Sequence, residues 1–245
     1  MKSQIFKKLQ GSPHISRKDF WLTIIPALFW LIGVYSRPYV IETHCSKKPD
    51  SCVPASVNFF DQPSLGLERS DADRLSFWTQ DLSGVIALTT PALWNGTLAW
   101  MGRVSRVIAL SQTAVDLTII LQTVAWNGLA TESTRLIVQR PRPFVYSRPE
   151  EGNNPASYVS FYSGHTSFAA ASMSSLFLTL LGRNAPTPLL IVIAALAQIL
   201  VLSTAFFRVL AGRHFITDVL TGAVMGALVA LTVARLHRSR QRHFL

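Results

Sequence analysis

Six runs of apolar residues, separated by polar or basic turns, constrain this chain more than any other feature. FWLTIIPALFWLIGVY fills residues 20–35, and a second run extends from about Leu82 to Met101, with Trp94 and Trp100 near its end. The third, from Val107 to about Val138, carries Asp116, Gln122 and Asn127; the others cover Thr166–Gly182, Leu189–Phe207 and Phe215–Ala234. With 49% hydrophobic and only 15% charged residues in 245, a soluble core cannot enclose so many runs, whereas a bilayer accepts them directly. Several runs fall short of the roughly 20 residues a span needs, so a buried soluble bundle is the competing architecture. The expected fold is all-α: a polytopic integral membrane protein, a bundle of six transmembrane helices forming one domain over residues 1–245. The polar residues of the third run should face other helices, and Gly222 and Gly226 in GAVMG make a small-xxx-small face for close helix contact.

Charge orients the bundle. A net charge of +10 invites a nucleic-acid reading, but the basic residues form no stripe; they mark the ends of the apolar runs. With Met1 placed inside, the inner segments hold Lys2, Lys7, Lys8, Arg17, Lys18, Arg103, Arg106, Arg183, Arg235, Arg238, Arg240 and Arg242 against Asp19 alone. The outer segments are almost balanced, which is the positive-inside pattern. Both termini are therefore expected on the cytoplasmic side. No small-residue cleavage site follows the first run, which reads as an uncleaved anchor. Residues 36–81 form a long outer loop, in which LERSDADRLSFWTQDL is expected to make a short interfacial helix. That loop holds Cys45 and Cys52, a possible disulfide in an oxidising compartment, with free thiols as the alternative; His44 alone stands near them as a further metal ligand.

Three polar clusters then fall on the outer side. In TRLIVQRPRPFVY, Arg135 and Arg142 are seven apart, a spacing that puts both on one helix face before Pro141 and Pro143 end the helix. In FYSGHTSFAA, Ser163, Gly164 and His165 open a helix whose unpaired N–H groups and dipole suit an anion. In FRVLAGRHFITDVL, Gly212 permits a tight entry, and His214 and Asp218 are one helical turn apart. A carboxylate behind an imidazole fixes its tautomer and leaves the other nitrogen free to attack. Arginines favour bidentate recognition of phosphate oxygens. Two histidines, a carboxylate and three arginines at one face describe a phosphoryl-transfer site that uses no metal. Headgroup anchoring by the arginines and a structural His–Asp pair are the plainer readings of the same residues.

These clusters resemble the motifs of the type 2 phosphatidic acid phosphatase family, in its membrane lipid phosphate phosphatase branch: K-x6-RP, PSGH and SR-x5-H-x3-D. The matching residues are Arg135-x6-Arg142-Pro143, Tyr162-Ser163-Gly164-His165 and Phe207-Arg208-x5-His214-x3-Asp218. The resemblance implies that His214 attacks phosphorus to form a phosphohistidine, that Asp218 orients it, and that His165 protonates the leaving group and then activates water. It assigns the phosphoryl oxygens to Arg135, Arg142, Arg208, the Ser163 hydroxyl and the Gly164 N–H. Arg135 stands for the family lysine, Tyr162 for proline and Phe207 for serine; none of these removes a group with an assigned step. Arg140, Arg148 and Arg213 are further cations, suited to a second phosphate or to solvated loops.

The expected activity is hydrolysis of a lipid phosphomonoester or terminal pyrophosphate at the outer face, with undecaprenyl pyrophosphate or a phospholipid phosphate as candidate substrate. A lipid-linked phosphotransferase, a lipid A phosphatase and, further off, a transporter using Asp116 are the alternatives. The expected location is a bacterial inner membrane with the site facing the periplasm or exterior. No metal or other cofactor, no nucleic acid and no obligate protein partner is expected: the chain has no H-E-x-x-H and no cysteine beside the three motifs.

Overall fold

The computed structural model describes residues 15–48 and 52–237; Lys2, Lys7, Lys8, Arg238, Arg240 and Arg242 of the inner charge set lie outside them. Six long helices dominate: α1 (Arg17–Val40), α3 (Ser70–Trp100), α4 (Arg106–Val138), α5 (Gly164–Gly182), α6 (Thr187–Leu210) and α7 (Ile216–Leu236). A single-turn helix, α2 (His44–Lys47), and several 3-10 turns fill the connections. Local chemistry starts each helix where the sequence allows. Ser16 caps α1 reciprocally with Asp19, and Ser163 caps α5 by accepting the Thr166 N–H. α4 stops at Val138 because Gln139 turns left-handed (φ 47°), two residues ahead of Pro141.

α5 is the central helix, packed against α3, α4, α6 and α7. Its Ala- and Ser-rich sequence follows from that position, since small side chains let four neighbours approach. The tightest approach is to α7: a side chain at Gly222 or Gly226 would meet the α5 backbone at Ser163 or Ser167. Polar groups point inward. Thr123 meets Ser175 at 3.1 Å, and the Asn127 amide donates to Ser167 Oγ at 3.1 Å. The outward faces are apolar, with Phe29 and Ile32 of α1, Leu93 of α3, Ile191 and Phe206 of α6, and Leu220 and Val224 of α7 all exposed. By length and composition α1, the stretch containing α4, α6 and α7 are apolar enough to cross a membrane. α3 and α5 are less apolar, because past its acidic start α3 carries Thr89, Thr90, Pro91, Asn95 and Thr97, and α5 carries the hydroxyls of the interior.

Two expectations change. The interfacial helix proposed inside residues 36–81 is not separate: it is the first turns of α3, which runs unbroken from Ser70 into the bundle. Arg135 and Arg142 do not share a helix face either, because Arg142 lies past the end of α4 in extended backbone (φ −75°, ψ 156°). Its N–H donates to the Ser157 carbonyl at 2.8 Å, so the returning loop, not helical spacing, aims it.

Candidate active site

The N-terminus of α5 is the floor of the site. Ser163 is fully buried; its Oγ lies 3.0 Å from Thr166 Oγ1 and its N–H donates to the Asp218 carbonyl at 3.1 Å, tying the turn to α7. Gly164 has a steric reason: a Cβ there would lie 2.6 Å from an Arg135 guanidinium nitrogen. Arg135 thus rests directly against the turn, and its Nε donates to the Tyr162 carbonyl at 3.4 Å. Arg142 and Arg208 lie within electrostatic reach of Arg135, so the three arginines of the sequence motifs come together.

His214 enters from the tight turn between α6 and α7, where Gly212 (φ 65°) is required; a side chain there would run into the Leu67 carbonyl. The ring is fully buried. Its Nδ1 lies 2.7 Å from the Ser160 carbonyl and 3.8 Å from Asp218 Oδ2. A carbonyl can only accept, so Nδ1 carries the hydrogen and Nε2 keeps its lone pair. The expected direct hydrogen bond from Asp218 is therefore replaced: Ser160 orients the ring, and Asp218 supplies negative charge just beyond. Asp218 Oδ2 itself accepts from Ser160 Oγ (2.5 Å) and the Phe215 N–H (2.9 Å). Burial, then the positive charges of Arg208, Arg142 and Arg135, push the His214 pKa well below the usual imidazole value, with the Ser160 carbonyl opposing. The ring is therefore held in its neutral form.

His165, on the first turn of α5, packs edge-on against Phe77 of α3 with ring centres 4.5 Å apart. Neither His165 Nε2 nor His214 Nε2 has a hydrogen-bond partner among the described residues. α3 also sends Asp73, which binds Arg208 at 2.6 Å through one oxygen and Arg213 at 2.9 Å through the other. Asp73, Phe77 and Arg213 wall an adjoining cavity of about 390 Å³ that reaches Phe144 and Arg148. The extra cations considered for a second phosphate are engaged within the protein: Arg213 with Asp73, Arg148 with Glu68 and Glu151, and Arg140 with Asp61 and Asp218.

Sequence reading missed Asp61, Asp73 and the Arg37–Glu132 pair, which sits beside Arg135 (Glu132 Oε2 to Arg135 Nη1, 3.6 Å). The signal was the near balance of charge in the outer segments: acids there are partners for the arginines of the site. Cys45 and Cys52 are joined, with Cα atoms 5.5 Å apart. They pack with Ile41, Phe144, Val145, Tyr158 and Val159, and Tyr158 accepts the Cys45 N–H at 3.0 Å. His44 completes a tight group with the two sulfurs, but the bond occupies both of them.

A helix start ringed by arginines and faced by two imidazoles, in an all-α bundle, has the chemistry that suits a phosphate group. The PAP2 superfamily model matches residues 116–242, which is more than half of the chain and includes all three motifs. The chain belongs to the PAP2 superfamily, whose members handle lipid phosphates. Comparison with curated proteins returns no match, and comparison with solved structures returns none.

Proposed function

We propose that the protein is a metal-independent lipid phosphate phosphatase that spans the membrane six times as a single domain, with its site at the outer face. The observation that carries this reading is the pair of unpartnered Nε2 nitrogens, on His214 and His165, beside Arg135, Arg142 and Arg208. The apolar outward faces of the helices and the basic residues at the opposite ends support the membrane placement.

In the first step His214 Nε2 bonds to phosphorus while the bond to the lipid oxygen breaks, and that oxygen takes its proton from His165. The incoming phosphate offsets the surrounding arginines, which favours the protonated form of His165 in the complex. Arg135, Arg142, Arg208, Ser163 and the Gly164 N–H hold the phosphoryl oxygens, where charge spreads in the transition state. In the second step neutral His165 takes a proton from water, the water oxygen bonds to phosphorus, and the phosphorus–nitrogen bond breaks. Inorganic phosphate leaves and His214 returns to its Nδ1–H form.

Phosphate release by purified protein across undecaprenyl pyrophosphate, phosphatidylglycerol phosphate, phosphatidic acid and lipid A tests the reading. Release from one of these lipids, with a phosphohistidine trapped on His214, is the expected result. An acid-stable phosphoenzyme, or full activity in His214→Ala, would overturn it. Adding lipid and sugar hydroxyl acceptors to the same assay separates hydrolysis from transfer.

A further inference from the structure

Behind His214 lies a run of alternating charges to which the proposed mechanism gives no role. The loop before α3 lays Asp61, fully buried, against the start of α7. Its Oδ1 accepts the Thr217 N–H at 2.9 Å. Its Oδ2 accepts from Thr217 Oγ1 at 2.6 Å, Asn58 Nδ2 at 2.8 Å and Arg140 Nη2 at 2.7 Å. The other arm of Arg140, Nη1, donates to Asp218 Oδ1 at 2.6 Å and to Thr217 Oγ1 at 2.9 Å. The guanidinium plane is held over the Phe215 ring, 4.0 Å from its centre. Burial alone would raise the Asp61 pKa, but Arg140, Thr217 and Asn58 together hold it below the usual carboxylate value.

The charges matter because of where they end. Arg140 paired with Asp218 alone would cancel the carboxylate that lies 3.8 Å from His214 Nδ1. With Asp61 added, the trio carries one net negative charge. Attack by Nε2 leaves Nδ1–H on a ring that gains positive character, and in a buried site a net negative charge behind that ring lowers the barrier. We propose that Asp61 is a positioning residue for the nucleophile: it shares Arg140 with Asp218, aligning that carboxylate and keeping the ground behind His214 negative. This rests on the proposed reading of His214 as nucleophile. Neither Asp61 nor Arg140 carries an assigned contact with phosphate.

The test uses the purified full chain and an aryl phosphate, with phosphoenzyme formation followed by rapid quench beside KM and the thermal inactivation midpoint. Asp61→Asn keeps the shape and removes the charge; formation is expected to slow about 10- to 100-fold, with KM changed less than about twofold. The double variant Asp61→Asn/Arg140→Gln returns the net charge to minus one and is expected to be faster than Asp61→Asn alone. A mere brace gives the reverse order, since two lost contacts are worse than one. Arg140→Lys keeps the charge but not the two-armed fork, and should also slow formation at constant KM even where Asp61→Asn fails to accumulate. Parental rates in Asp61→Asn or Arg140→Lys, or a double variant no faster than the single, overturn the inference. His214→Ala separates the two failures: phosphoenzyme surviving there overturns the functional reading itself, whereas its loss beside a parental Asp61→Asn overturns only the role of Asp61.

Discussion

The two ends of α5 handle charge in opposite ways. They stand about 28 Å apart, from the 1.5 Å rise of its 19 residues. At the far end, Arg183 meets Asp116 Oδ1 through Nη2 at 2.7 Å and Nε at 3.0 Å, while Asn95 donates to Asp116 Oδ2 at 3.1 Å. One base is balanced by one acid. At the Gly164 end, Arg135, Arg142 and Arg208 gather around two imidazoles; Glu132 and Asp73 reach Arg135 and Arg208, and Asp218 lies behind His214. An uncompensated charge away from water is costly, so a protein keeps it where a ligand supplies the other sign. The balanced end ties α4 to the end of α5, whereas on the proposed reading a substrate phosphate supplies the missing negative charge at the cationic end.

The largest effects should come from breaking the cationic end. His214→Ala is expected to abolish the phosphoenzyme and lower kcat by at least about 1,000-fold. Arg208→Ala should cost about 100- to 1,000-fold, and it also leaves Asp73 to Arg213 alone. Breaking the balanced end should do the reverse. Asp116→Ala strands the Arg183 charge, and about 3 to 5 kcal/mol of stability should be lost, while kcat of the protein that remains folded stays near the parental value. Loss of activity without loss of stability in Asp116→Ala would erase the distinction between the two ends.

Smaller effects sharpen it. Cys45→Ser with Cys52→Ser opens a short loop whose closure contributes about 2 to 3 kcal/mol in the entropic treatment. Because the clip packs on Tyr158, two residues before the Ser160 carbonyl, thermal inactivation should respond more than KM; freely alkylated thiols in the native protein would refute the clip. Acid should act through His214. Its folded pKa lies below its unfolded value, so the unfolded chain binds the proton first and stability falls as pH drops below about 6.5, by up to about 1.4 kcal/mol per unit. His214→Asn should flatten that slope, and an unchanged slope would assign the acid sensitivity elsewhere. Excess chelator should leave activity intact; loss restored by added magnesium or zinc would overturn the metal-free mechanism.

The helices and the motif residues were legible in the sequence because apolar runs and fixed spacings are local signals. His214 and Asp218 lie one turn apart on paper and in space, and SGH at the mouth of an apolar run marks a helix start in either view. Partners supplied by distant segments were not legible. Ser160 holds His214 through a carbonyl, which every residue possesses. Asp61 and Asp73 sit in a loop and a helix start with no motif of their own, and only tertiary packing brings them to Arg140 and Arg208. The Arg135–Arg142 spacing shows the opposite error: a helical rule gave the right neighbours for the wrong reason, since the helix had already ended at Val138.

α3 enters the bundle without a break, and its first turns bring Asp73, Ser76 and Phe77 to Arg208 and His165. These residues, like Asp61, precede the stretch that matches the family model. The motif-bearing half is therefore not portable. Cut free at residue 116 it would retain every signature residue yet present Arg208 and Arg140 stripped of carboxylates from the first half. A chimera that exchanges catalytic halves between relatives must exchange α3 and the loop before it as well, or be redesigned so that the transplanted arginines find new acids.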